Sequence, residues 1–173
     1  AFGADPATTR KISRTQLDKH APRVLFGREE ELKALDAAWA RGTLNIYTLD
    51  AAARAAGGEV AAVKAVLAGS LANAFCAVRP PGHHAEPQRS MGFCIFNNIA
   101  VAAQDALERG AERVLIVDYD AHHGNGIQAY AWKNERVAYL STHQEYIYPG
   151  SGAIQEASPA RGRIVNVPLP SRS

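Results

Sequence analysis

Residues 114–125 read Val-Leu-Ile-Val-Asp-Tyr-Asp-Ala-His-His-Gly-Asn, an apolar run that turns abruptly polar. The aliphatic, partly β-branched run at 114–117 predicts a buried strand. Because alternate side chains of an extended segment share a face, we expect Asp118, Asp120 and His122 to project towards one point. That point lies at the carboxyl end of the strand, where open α/β sheets bind ligands.

The segments around this run alternate between helical and strand-like patterns. A helical apolar face predicts a helix from about 49 to 68, and Asn97 as cap with Gly110 as stop predicts another over 98–109. Alternation of helices and strands predicts an α/β fold, a parallel sheet with crossover helices. Short apolar runs predict the remaining strands, at 74–78, 137–141 and 164–167.

Composition limits the class of protein. A chain of 173 residues with 47% hydrophobic residues is long enough for one domain with a real core. We find neither an apolar run of about 18 residues nor an export signal, and therefore expect a cytoplasmic protein without membrane contact. A net charge of +2, from 19 basic and 17 acidic residues, gives no support for nucleic acid binding. Cys76 and Cys94 are too few for a disulfide framework, so we expect both to be reduced and packed.

A second polar motif, Arg79-Pro-Pro-Gly-His-His84, supplies two neighbouring histidines. Catalytic zinc usually has three protein ligands and a water, and Asp120 with His122 would supply two of the three. Such a water needs a proton acceptor, for which His83 and His84 are the candidates. The polar groups available to orient the two imidazoles are Asp118 and Asn125.

Other polar or aromatic residues have weaker patterns. Gly92-Phe93 is interpreted as a wall beside the site, although Phe93 fits the core equally well. Cys94 is assigned to packing, and Ser141-Thr142 to a strand end. For two histidines, His20 and His143, the sequence indicates no partner.

Together these motifs resemble the histone deacetylase family, most closely its bacterial class II-like, acetylpolyamine and acetoin-utilisation members. The resemblance implies an arginase-like three-layer α/β fold around a parallel sheet, incomplete in this chain. It also implies hydrolysis of an acetyl-amide through zinc-bound water. The motifs are Arg79-Pro-Pro-Gly-His-His-Ala85, Gly92-Phe-Cys-Ile-Phe-Asn-Asn98, Val117-Asp-Tyr-Asp-Ala-His-His-Gly-Asn-Gly126, Ser141-Thr-His-Gln144 and Tyr148-Pro-Gly150.

Carried over residue by residue, the resemblance implies that Asp120 and His122 are zinc ligands and that His84 is the general base and acid. His83 becomes an electrostatic histidine hydrogen-bonded to Asp118, and Asn125 stands against the catalytic histidine. Gly92 and Phe93 match the wall of the acyl-lysine tunnel. A structural potassium ion is also implied, at Asp118, Asp120, His122, Ser141 and Thr142.

The family needs further residues that this chain does not show. Its third zinc ligand, an Asp, and the Tyr that polarises the acetyl carbonyl are expected beyond Ser173. We therefore interpret residues 43–173 as part of a catalytic domain and residues 1–42 as a segment of unclear role. The chain alone is expected to bind zinc poorly and to have little activity.

The function predicted from the sequence is zinc-dependent removal of an acetyl group from acetyl-lysine or an acetylated amine such as a polyamine. Histone tails are a less favoured substrate. One alternative is a non-catalytic or decayed deacetylase-like module that binds acetylated ligands or a partner chain. Another is a dimanganese ureohydrolase, which the sequence disfavours because Gly124 stands where a second bridging aspartate belongs.

Overall fold

The computed structural model of the chain describes residues 46–157 and 162–171. The 1–42 segment, including His20, lies outside this part, so its interpretation stays a prediction. From residue 98 onward, helices and strands alternate as the sequence predicts. The helices and strands of the described part are α1 (Ile46–Leu67), α2 (Asn98–Glu108), β1 (Val114–Asp118), α3 (Asn125–Lys133), β2 (Val137–Gln144), α4 (Ile154–Ala157) and β3 (Ile164–Leu169).

The three strands form one parallel sheet in the order β1-β2-β3. A parallel neighbour requires a crossover, which α3 provides between β1 and β2. The register pairs Asp118 with Ser141, so the polar residues that end β1 lie beside those of β2 at one edge of the sheet.

The core lies on one face of the sheet. Ile116, Tyr139 and Ile164 pack there with apolar residues of α2 and α3, including Leu107 and Ile127. Helix α2 begins as predicted, because the Asn97 side chain accepts a hydrogen bond from the Ala100 amide. Helix α1 packs on α2 rather than on the sheet.

The opposite face of the sheet is apolar and uncovered within the described residues. Leu115 and Val117 of β1 are 65% and 52% exposed, so the prediction of a buried strand is right for only one side of it. The register aligns Val117 with Leu140 and Leu140 with Val165, which shows that these side chains share a face. The apolar run at 114–117 is typical of a strand with layers on both sides, and only one layer is described here.

The predicted strand at 74–78 is wrong: these residues join none of the three strands, and Phe75 is 92% exposed. Apolar composition alone does not make a strand, because a strand needs a partner for its backbone groups. The helix predicted over 49–68 is observed, but its carboxyl-terminal Leu67 is exposed rather than buried. Two strands run beyond the predicted ends, β2 to Gln144 and β3 to Leu169.

Within residues 46–157 and 162–171, no helix is both long and apolar enough to cross a bilayer. Cys94 is buried, as predicted, and Cys76 is half-buried, and both are free thiols.

Candidate active site

The carboxylate of Asp118, the last residue of β1, turns towards the protein interior. Its Oδ2 accepts hydrogen bonds from His83 Nδ1 at 3.0 Å and from the Tyr139 hydroxyl at 3.1 Å. Its Oδ1 accepts one from the Asp120 amide. Burial alone would raise the pKa of this carboxyl, but the His83 bond and charge, with the other two donors, lower it below its ordinary value.

The carboxylate of Asp118 thus contacts His83 and Tyr139, and its convergence with the Asp120 and His122 side chains stays a prediction. The strand ends at Asp118 and the chain bends over the next residues, so the alternation of an extended segment does not continue. Asp120 and His122 are turned towards each other: Oδ1 of Asp120 lies 3.0 Å from Nδ1 of His122.

Backbone hydrogen bonds join the two histidine motifs. The amides of Gly126 and Ile127, in the first turn of α3, both donate to the carbonyl of His83, at 2.9 and 3.2 Å. Only glycine fits at 126, because a Cβ there would lie 2.2 Å from the carbonyl oxygen of Ala85. Backbone contact between residues far apart in sequence thus fixes the histidine pair beside the end of β1.

His84 lies buried against Asn125. Its Nδ1 is 2.9 Å from Asn125 Oδ1, and its ring centroid is 4.0 Å from that of His83. Burial is the largest cause of a lowered His84 pKa, and electrostatic interaction with His83 and His122 lowers it further against the effect of the Asn125 bond. At neutral pH His84 is therefore the neutral imidazole that a general base requires.

Asp120 and His122 provide two donor atoms that suit a zinc ion. A carboxylate oxygen and an imidazole nitrogen, here 3.0 Å apart, are donor types that bind zinc in proteins. Both side chains are about half exposed, which leaves the pair accessible. Within the described ranges, no group of three His, Cys, Asp or Glu side chains is placed to hold a metal.

Tyr148 packs over the candidate site and was given no role by the sequence analysis. Its ring centroid is 4.9 Å from His84 and 6.2 Å from His122, edge-on to both. The His84 and His122 centroids are 6.0 Å apart. The sequence does contain the Tyr148-Pro-Gly150 motif. Because this motif lies far from the histidines along the chain, the sequence alone does not indicate the contact.

Gly92 lies against the catalytic histidine candidate, and Phe93 stands next to it. At Gly92 φ is +56°, and a Cβ would lie 2.2 Å from Cδ2 of His84, so no larger residue fits. Phe93 is 93% exposed, which excludes the alternative that it belongs to the core.

His143 is not without partners, and that expectation is corrected. Its Nδ1 is 2.9 Å from Ser141 Oγ and its Nε2 donates to the Gly152 carbonyl. Neighbouring His123, also buried, contacts Ser151 Oγ at 2.8 Å, and burial lowers its pKa to about 4. These bonds tie the loop after β2 to the end of β1; their polar partners are remote in sequence and were not recognisable from it.

Comparison with known proteins shows the family of the chain. The family model described as the Histone deacetylase domain matches residues 9–173, so the chain belongs to the histone deacetylase family. A "Probable deacetylase" of Archaeoglobus fulgidus is 46% identical over 127 residues, covering 72% of this chain and 35% of that protein. A "Histone deacetylase-like amidohydrolase" of Pseudomonas aeruginosa is 46% identical over 117 residues, covering 66% of this chain and 31% of that protein.

Solved structures show the same fold. The HD domain of HDA15 superposes with a TM-score of 0.74 at 38% identity, covering 92% of this chain and 48% of that one. An acetylpolyamine aminohydrolase from Burkholderia pseudomallei gives 0.66 at 41% identity, covering 71% and 37%. The predicted arginase/deacetylase-like α/β fold is confirmed, and the chain spans about a third of the length of the curated relatives it matches.

Proposed function

We propose that this chain forms part of a zinc-dependent amidohydrolase that removes an acetyl group from an acetylated amine. The observation that carries the proposal is the proximity of a buried imidazole, His84, to the half-exposed Asp120–His122 pair. A base held next to a candidate metal site is the arrangement that hydrolysis by an activated water needs. Membership of a family of deacetylases and amidohydrolases supports the same conclusion.

Asp120 and His122 would hold the zinc ion. A zinc ion held there would supply a more acidic water and a positive charge near the acetyl carbonyl oxygen. With Nδ1 engaged by Asn125, His84 keeps Nε2 free to accept the proton of the attacking water and to return it to the departing amine. His83, paired with the Asp118 carboxylate, stabilises charge next to this step.

A potassium ion is proposed beside this site, in line with the family. The positions concerned are Asp118, Asp120, His122, Ser141 and Thr142, and the β1–β2 register supports them by setting Asp118 next to Ser141. Such an ion would place a fixed positive charge near the histidine pair.

The substrate proposed is an acetylated lysine or an acetylated polyamine, and the enzyme is proposed to act in the cytoplasm. Phe93 and Tyr148 present exposed aromatic surface at the mouth of the site, which suits the methylene chain that precedes an acetyl-amide. One solved relative is titled an acetylpolyamine aminohydrolase, which supports the second substrate class.

The dimanganese alternative is disfavoured by space as well as by sequence. A Cβ at Gly124 would lie 2.3 Å from Asp118 Oδ2 and 2.6 Å from the Tyr139 hydroxyl. A bridging aspartate therefore has no room at this position. Measurements of metal binding and of hydrolytic activity distinguish the non-catalytic alternative from the proposed enzyme.

The direct test is hydrolysis of an acetyl-lysine peptide and an acetylated diamine by the protein as its gene encodes it. We expect activity that a chelator removes and zinc restores. The His84→Ala variant should be slower by about 10²–10⁴-fold. Activity indifferent to the chelator or to His84→Ala would contradict the proposal, and the chain of 173 residues alone should show little activity.

A further inference from the structure

We propose that Glu86 is a positioning residue: it fixes the orientation of the Asn125 amide and thereby selects which nitrogen of His84 is protonated. The proposal deepens the proposed function, because the tautomer matters for catalysis only if His84 is the base. The tautomer itself is a property of the chain that can be measured without any hydrolysis.

The Asn125 side chain is buried and contacts four polar atoms, three of them at Nδ2 and one at Oδ1. Its Nδ2 donates to Glu86 Oε1 at 2.7 Å, to the His84 carbonyl at 3.3 Å and to Met91 Sδ at 3.3 Å. Its Oδ1 faces His84 Nδ1 at 2.9 Å. The three groups around Nδ2 can only accept hydrogen bonds, once Glu86 is ionised.

This arrangement makes the flipped amide unfavourable. Rotation by half a turn would bring Oδ1 to the 2.7 Å position next to Glu86 Oε1, so that an amide oxygen would face a carboxylate. Two acceptors in contact at a partly buried position lose a hydrogen bond and repel each other. Oδ1 must therefore face the imidazole, which forces the proton onto Nδ1 and leaves the lone pair on Nε2.

Of the three acceptors near Asn125 Nδ2, Glu86 has the greatest influence on the orientation of the Asn125 amide. It carries the charge and makes the shortest contact, and hydrogen bonds to charged groups are roughly twice as strong as neutral ones. Its backbone is held by reciprocal hydrogen bonds with Arg89 at 3.0 and 3.3 Å, so the carboxylate is presented from a fixed turn. The His84 carbonyl and the Met91 sulfur lie further from Nδ2.

The same contact explains why residue 125 is an amide in this chain. An aspartate at this position would place a second carboxylate 2.7 Å from Glu86. The identities of residues 86 and 125 are therefore coupled: a glutamate at the first requires an asparagine at the second, and a neutral donor at the first permits an aspartate.

The test is a set of four proteins followed by ¹⁵N NMR of the histidine rings, at a pH where His84 is neutral. Wild type should show His84 as a single tautomer, protonated at Nδ1. Glu86→Gln should give a mixture of tautomers, since a glutamine amide accepts either orientation of Asn125. Asn125→Asp should perturb the ring. The double variant, Glu86→Gln with Asn125→Asp, should restore the single Nδ1-protonated tautomer, because the introduced carboxylate then accepts from both neighbours.

The matched control is Glu135→Gln, the same change at an exposed position, and it should leave the His84 signals unchanged. A Glu86→Gln variant that keeps the single wild-type tautomer would overturn the proposal. So would a double variant that is unfolded or that shows mixed tautomers, because the coupling predicts rescue.

In protein competent for hydrolysis, Glu86→Gln should lower kcat by about 10- to 100-fold with little change in KM, and the double variant should recover most of the loss. The two proposals fail separately. Tautomer changes without any hydrolytic activity would leave the Glu86 proposal intact and contradict the proposed function. Zinc-dependent hydrolysis with an unchanged tautomer in Glu86→Gln would support the proposed function and contradict the Glu86 proposal.

Discussion

Tyr139 belongs at once to the hydrophobic core and to the candidate site. Its ring is fully buried under the sheet, while its hydroxyl donates to Asp118 and accepts from the Gly124 amide, both at 3.1 Å. Burial, followed by the Asp118 charge, raises the pKa of this hydroxyl well above its ordinary value, so it stays a donor at all working pH. A single oxygen atom thus joins the end of β1 to the start of α3.

Removing that oxygen, in Tyr139→Phe, should cost about 1–3 kcal/mol of the free energy of unfolding, because the buried Gly124 amide loses its acceptor. Asp118 has a depressed folded-state pKa, so its contribution is present at neutral pH and is lost as the pH falls through that pKa. The variant should therefore differ from wild type less at acid pH than at neutral pH. Urea unfolding measures both effects, and Tyr146→Phe, at a 94% exposed tyrosine, is the control that should change nothing.

For individual residues, the sequence predicted which side chains form the candidate site better than it predicted where those side chains point. It identified Asp118 and Asn125 as the groups available to orient the two histidines, and the structure places one against each. It did not predict that the strand ends at Asp118 and that the chain bends there, since alternation applies only while the strand lasts. The partners of His143 come from a loop that no local pattern relates to it.

Among the elements, α1 contains a residue that fits its surroundings poorly. Glu59 is largely buried, and its Oε2 has no hydrogen-bond partner within the described residues. Burial raises its pKa from 4.5 to about 7. Since the folded state holds this proton more tightly than the unfolded state, stability falls as the pH rises from 4.5 towards 7 and then levels off.

Glu59→Gln should therefore stabilise the protein by about 1–3 kcal/mol at slightly alkaline pH and have little effect at about pH 5. Urea unfolding at both pH values checks the sign. Glu112→Gln, at an exposed position, is the matched control. Equal effects of Glu59→Gln at both pH values would show that the carboxyl is not protonated in the folded state.

The order of helices and strands was predictable because periodicity and capping are local signals, as Asn97 at the start of α2 illustrates. The failure at 74–78 has a physical cause: whether an apolar run pairs depends on what lies beside it, which one segment does not encode. The extra length of β2 and β3 likewise depends on each strand having the other as a partner.

For the whole molecule, the outstanding feature is that one face of the sheet is packed while the other is apolar and uncovered within the described residues. Val117 and Val167 are exposed on this second face, whereas Val137 is fully buried on the first. An apolar face of this kind favours association with other apolar surface. The chain spans about a third of the length of the two curated relatives.

Three valine-to-threonine changes test this asymmetry. Val117→Thr and Val167→Thr should each change stability by less than about 0.5 kcal/mol and reduce binding of an apolar dye. The control, Val137→Thr, buries a hydroxyl without a partner and should cost roughly 1–3 kcal/mol. If Val117→Thr is as costly as Val137→Thr in urea unfolding, the second face is covered in solution.

The most direct test of the proposed site is a zinc titration of the chain, followed through the ring signals of its histidines. The account predicts weak binding of one ion, with His122 shifting most and His84 shifting as a neighbour, and loss of these shifts in Asp120→Asn. Binding that leaves His122 unperturbed, or that persists unchanged in Asp120→Asn, would contradict the assignment of this pair to the metal.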